Sequence, residues 1–387
     1  MKERFIWIDW LRVTAIFLVL TVHSTEPFYL GGEGSLIATK TDTVWVALFD
    51  SFARACVPLF IIASSFLQFP LHYSTGEFFR KRAIRVLVPF ALWTVVYALV
   101  WGEPVENFKD LLLNFNYAAG HLWFVYMLVG IYLLIPMLSP WAERVSKREL
   151  QVYLAICFFT TFIPFVRQAV GGDAPVIYGT SGIPNFAKFP LWGECSWNAY
   201  GIFYYFSGFI GYLLLGLYIR RFVGDLSWKK TVVYGIIPWL VGFCICFFGF
   251  IYLVSLSAAS ADYPLEGAVG MAALWETPWF YDSTGVALMA LGWILVYKKI
   301  SSEGRCYSGL ALPLSKASYG VYLCHMLILA PLSGCIREWL GIGDEGRLGV
   351  MTTPVEILAT AILTFTIASL VCIAVNRIPR VGKIIVG

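Results

Sequence analysis

Charge is scarce in this 387-residue chain. Asp, Glu, Lys and Arg make up 13% of it, about half of the ~25% found in soluble domains. Hydrophobic residues make up 59%, and mean hydropathy is +0.74. That balance excludes a soluble domain with one anchor and implies a polytopic membrane protein. Further absences narrow the chemistry. There is no glycine-rich phosphate loop at a strand–helix junction and no catalytic serine elbow. Repeats and low-complexity segments are missing too. The nine cysteines include no metal-spaced pair, and Cys244 and Cys246, two apart, diverge on a helix. They read as small packing residues rather than zinc ligands or a disulfide framework. Neither a metal nor a nucleic-acid partner is expected.

What is present is a series of apolar runs. Ten are long enough to cross a bilayer: 5–23, 44–69, 84–101, 120–139, 150–166, 200–219, 231–254, 282–297, 312–333 and 355–376. The first has no small-residue cleavage site and reads as a retained helix rather than a signal peptide. Lys and Arg in the connections and at the span edges fall unevenly, twenty on one side and six on the other. The excess marks the cytoplasmic side. The expected fold is therefore an all-α membrane bundle of about ten transmembrane helices, with both termini cytoplasmic. It forms a single integral-membrane domain with no fused soluble domain, and only a short basic tail follows Asn376.

The few charges inside the spans are informative, because an intramembrane ionisable group needs a partner and commonly marks a functional site. In FIWIDWLRVTAIFLVLTVH, Arg12 and His23 are eleven positions apart. That is about 20° past three full helical turns, so they share a face about 16 Å apart along the axis. Asp9 lies one turn before Arg12, close to the same face. Glu26, just after His23, either orients its imidazole or is an ordinary loop acid. Arg54 lies inside the second span, with Asp50 one turn earlier as its simplest partner. His121 and His325, like His23, lie on the outer halves of their helices, whereas His72 is in a cytoplasmic loop. His23 is the best-placed general base, because its helix also carries the charged column.

EFFRKRAIRVLVPF enters the third span. Arg82 and Arg85 are three apart and share a face there. Such a cluster either grips phosphates through bidentate guanidinium contacts or anchors the helix at lipid headgroups. Two outer connections, 167–199 and 255–281, are long and carry Trp192, Trp197, Trp275 and Trp279. These tryptophans read as interface anchors or as sugar-stacking platforms.

Taken in order, these pieces resemble the acyltransferase-3 family of integral-membrane O-acyltransferases. The carriers are Arg12 with His23, DSFARACVPLFIIASSFL, Arg82 with Arg85, GHLWFVYML and KASYGVYLCH. Ser65 stands where the family usually has glycine. The resemblance implies transfer of an acyl group, often acetyl from acetyl-CoA, to a hydroxyl on a glycan or lipid-linked precursor. It places the donor's phosphates at Arg82 and Arg85, with the arm passing Arg12 toward His23. His23 then acts as general base or transient acyl carrier, with Arg12 and Asp9 in the same column. Glu26, Arg54, His121, Trp123, Tyr319, Tyr322 and His325 would line the site. Acyl-CoA, the acceptor and membrane lipids are the implied partners, and a bacterial cytoplasmic membrane is the implied location. The competing reading is a transporter or flippase of a lipid-linked or acylated solute, which would need a matched pair of broken helices. The topology has its own test. Thiol reagents applied from outside should label cysteines in the 167–199 loop and not cysteines introduced at 220–230; the reverse pattern would overturn the arrangement.

Overall fold

Several crossings begin where a hydroxyl side chain takes up a free helix-start N–H. Thr39, Ser74, Ser146 and Ser227 accept from the backbone N–H of Asp42, Glu77, Glu149 and Lys230. The cap at Ser74 starts the third helix nine residues before its apolar run, so Arg80, Lys81 and Arg82 are helical. The computed structural model describes residues 4–30, 37, 39–101, 103, 105–106, 108, 117–170, 191–193, 200–258, 275–304, 309–341, 351–379 and 381–387. All regular structure among them is helical.

Nine helices among the described residues are long and apolar enough to cross a membrane. They are α1 (Ile6–Phe28), α2 (Lys40–Gln68), α3 (Thr75–Val100), α4 (Ala118–Arg144), α5 (Lys147–Val166), α7 (Trp228–Leu256), α8 (Thr277–Ser302), α9 (Ala311–Trp339) and α10 (Thr352–Asn376). The expected sixth crossing is broken. A 3-10 turn, Gly201–Phe206, leads into the shorter helix α6 (Ile210–Phe222). The break falls at Gly208, whose φ of +68° suits glycine and ends any regular helix there. A five-residue helix, α11 (Val381–Ile385), follows α10.

α1 is the hub, packing on α2, α8, α9 and α10. α3 and α7 are peripheral, with only 28% and 22% of their apolar windows buried. Three helices are distorted at a fixed distance from a proline. Proline has no N–H for the carbonyl four residues earlier, and its ring crowds that carbonyl. Pro58 follows Arg54 by four, and α2 breaks between Lys40–Ala53 and Cys56–Gln68. Pro89 follows Arg85 by four, and α3 widens into a π turn at Ala83–Leu87. Pro238 follows Tyr234 by four, and α7 does the same at Val232–Ile236.

The α7–α8 contact depends on absent side chains. α7 presents Gly235, Gly242 and Gly249 at seven-residue spacing, and α8 returns Gly285 and Gly292. A methyl on Gly292 would lie 2.6 Å from the Gly235 carbonyl oxygen, and one on Gly285 would lie 2.8 Å from that of Gly242. Small residues let membrane helices approach where lipid gives no hydrophobic drive to associate. Gly242→Leu should therefore destabilise the protein by about 1–3 kcal/mol, the range for overpacking. Gly130→Ala, which meets nothing within 4 Å, should stabilise it by about 0.5–1 kcal/mol. Thermal unfolding in detergent distinguishes the two, and similar shifts would rule out close packing at 242.

Candidate active site

Three histidines from three helices meet. His23 is in the last turn of the regular part of α1, His121 in the 3-10 turn that opens α4, and His325 in α9. Ring centroids are 5.0 Å apart for His23 and His325, 5.2 Å for His121 and His325, and 6.4 Å for His23 and His121. His23 Nδ1 lies 2.5 Å from Glu26 Oε2, so Glu26 holds the imidazole. A carboxylate accepting from Nδ1–H leaves Nε2 as the lone-pair nitrogen. His325 is fully buried, and its Nδ1 donates to the Tyr322 carbonyl at 2.6 Å. Nε2 of His121 and Nε2 of His325 are buried without a hydrogen-bond partner among the described residues. Tyr97, which no sequence pattern marked, packs on His121 at 4.6 Å and donates to the Leu323 carbonyl. Trp123 stacks on Tyr281 at 5.4 Å.

Beneath the histidines lies a cavity of ≈ 1280 Å³. Its lining includes Arg12, Arg80, Lys81, Arg82, Arg85, Arg220 and Lys316 and, among the described residues, no Asp or Glu side chain. The inner wall includes Phe124 and Tyr322. Tyr322 donates to the His121 carbonyl at 2.9 Å and its ring is 5.9 Å from His325, so one side chain separates the cavity from the imidazoles. Arg12 Nη2 donates to Ser318 Oγ at 3.3 Å. The Arg82 guanidinium sits between the Phe78 ring at 5.4 Å and the Tyr132 ring at 5.2 Å, and its buried Nε has no partner among the described residues. Tyr319 donates to the Val86 carbonyl in the π turn at 2.8 Å.

Arg80 and Lys81 reach the same cavity as Arg82 and Arg85. In the sequence the latter two share a face, and Arg80 and Lys81 add charge beside them. Asp9 is not brought to the histidines. It pairs with Arg4 at 2.8 Å, about 21 Å along the helix from His23. Tyr132 was missed because a lone tyrosine in an apolar run carries no signal.

Arg54 is 5% exposed and Asp50 is fully buried. The expected pair forms, between Arg54 Nε and Asp50 Oδ1. Arg54 Nη2 also donates to Tyr29 OH at 2.5 Å and to Glu276 Oε1 at 3.0 Å. Thr25 donates to Asp50 at 2.6 Å, and Tyr29 donates to Glu276 at 2.9 Å. Thr25 and Tyr29 flank the 3-10 turn Glu26–Phe28, so the network braces the turn that carries Glu26. Its polar partners are carboxylates and a phenol, none of them a histidine. Trp275 and Trp279 are fully buried, so neither is an interface anchor or an exposed sugar platform. Trp279 stacks on Phe250 at 3.8 Å and donates to Ser51. Trp192 is 37% exposed, and Trp197 lies outside the described residues.

α3 and α7 share the π-turn device, as a transporter's paired broken helices would. Their turns do different work. That of α3 lines the cavity, whereas Gly235 in that of α7 packs against Leu295. Arg54→Met should be severe, because it leaves Asp50 and Glu276 buried without their cation; about 3–5 kcal/mol is expected. Tyr29→Phe should cost less, about 1–3 kcal/mol. Unfolding midpoints of the two variants check the order, and equal losses would show that Arg54 does not anchor the network.

Comparison with protein families aligns the acyltransferase domain model with residues 5–373. Comparison with curated proteins and with solved structures finds no match. The match spans nearly the whole chain, including every helix that supplies the histidines or the cavity's Lys and Arg side chains. This multi-pass membrane protein belongs to the acyltransferase-3 family.

Proposed function

We propose that the protein transfers an acyl group, acetyl in the simplest case, from acyl-CoA to a hydroxyl of a surface glycan or lipid-linked precursor. The observation that carries this reading is a cavity lined among the described residues by seven Lys and Arg side chains and no Asp or Glu, ending one side chain from three converging imidazoles. A headgroup anchor would need the basic residues only at the surface. Arg12 instead lines the cavity half-buried, and Arg82 is held between two rings with a buried donor unused among the described residues. The volume exceeds the ~300–1,000 Å³ of drug-sized sites, which suits a nucleotide with a long thioester arm. The charge bias puts this mouth on the cytoplasmic side.

The chemistry follows from the rings. His23 Nε2, with Nδ1 held by Glu26, takes the proton from the acceptor hydroxyl as its oxygen attacks the thioester carbonyl. The C–O bond forms, the C–S bond breaks, and the proton passes to the departing thiolate to give free CoA and neutral imidazole. Tyr322 and Phe124 are the side chains the thioester arm meets before the histidines.

Release of free CoA by purified protein with an acceptor present is the direct test. His23→Ala should lower turnover by about 10²–10⁴-fold while acyl-CoA still binds. Arg82→Ala and Arg85→Ala should each weaken donor binding by about 1.5–3 kcal/mol with the protein still inserted. Wild-type turnover in a folded His23→Ala protein would remove the base assignment, and unchanged donor affinity in both arginine variants would remove the donor site.

A further inference from the structure

After α10 the chain doubles back into the bundle. Gly382 lies so close to the end of α10 that a Cβ there would be 2.8 Å from the Val375 carbonyl oxygen and 2.9 Å from Asn376 Cα. α11 then packs on both α10 and α3. Trp93 on α3 donates its indole N–H to the Ile385 carbonyl at 2.8 Å. Val386, 1% exposed, fills the notch that Gly320 leaves on α9, and any side chain at 320 would collide with it. Gly387 reaches the basic cavity itself, where a Cβ would lie 2.7 Å from both the Arg85 carbonyl oxygen and Tyr319 Cδ1. That carbonyl is the one to which Pro89 can give no N–H. The segment therefore fits between α3 and α9 at the level of the π turn.

We infer that residues 381–387 are a wall of the donor site: they seal the cavity between α3 and α9 and hold the π turn that carries Arg85. The inference rests on the acyl-CoA reading for the identity of the donor. A gap between these helices would admit lipid chains into the route from the arginines to the histidines, and would leave the π turn packed on one side only. Tyr319 and Gly387 are the surfaces that the thioester arm would pass.

Donor binding measured with acetyl-CoA on the full-length protein tests the wall. Val386→Asp puts a charge into the Gly320 notch and should release the segment, raising Kd at least tenfold. Turnover at saturating donor should stay within about threefold, since the histidines are untouched. Val386→Thr keeps the shape and adds a buried hydroxyl, and Trp93→Phe removes the bond to Ile385 together with part of the ring; each should raise Kd by about threefold. Those two variants decide the matter if the aspartate protein does not fold. Wild-type Kd in the variants that fold would overturn the wall while leaving the donor reading intact. Failure of the wild-type protein to bind acetyl-CoA would instead strike the donor reading itself.

Discussion

A guanidinium in the middle of a bilayer must find its counter-charge inside the protein, because lipid supplies none. Arg54 meets that constraint with Asp50 on its own helix and Glu276 just before α8. The two carboxylates in turn hold Thr25 and Tyr29, on either side of Glu26. One buried cation thus fixes α2, the entry to α8 and the end of α1 relative to one another. The histidine nearest that junction inherits its position. His23 is oriented by Glu26, Glu26 sits in a turn clamped on both flanks, and the clamp cannot loosen without stranding a charge.

Proline distortion then decides what the backbone offers at the two arginine sites. Arg54 and Arg85 each stand four residues before a proline, and each lies where its helix departs from α geometry. In α2 the departure is a break that leaves Arg54 as the C-cap of Lys40–Ala53. In α3 it is a widened turn whose carbonyls are used from outside the helix. Tyr319 takes the Val86 carbonyl, and Gly387 packs on that of Arg85. The arginine positions are therefore set by main-chain geometry as much as by side-chain rotamers.

Much of this was legible in the chain. The apolar runs and the basic bias revealed an all-helical membrane bundle, and three histidines at similar depth turned out to share one cluster. Asp50 was readable as the partner of Arg54 because the two are one turn apart. Glu276 was not, since nothing in an acidic outer connection says which buried cation it will meet. The π turn was not read, although the Arg85–Pro89 spacing that breaks the helix's regularity was present in the sequence. Trp275 and Trp279 looked like surface residues because they sit in a long connection. Their burial is set by Phe250, Ser51 and Arg54, all distant in sequence.

Charge is distributed unequally along the axis of the bundle, and the inequality gives the site a direction. The cavity holds cations whose described partners are largely carbonyls, hydroxyls and rings: Arg12 with Ser318, Arg82 with Phe78 and Tyr132, Arg220 with the Phe66 carbonyl. The histidine end holds three carboxylates, Glu26, Asp50 and Glu276, around one arginine and one imidazole. A phosphate-bearing molecule is attracted to the first end and repelled from the second, and in a low-dielectric interior both forces are strong. Under the proposed acyl-CoA reading, this field would favour the orientation with phosphates at the arginines and the uncharged thioester arm toward the histidines. The separation between Arg12 and His23, about three helical turns, would then keep the phosphates apart from the proposed base.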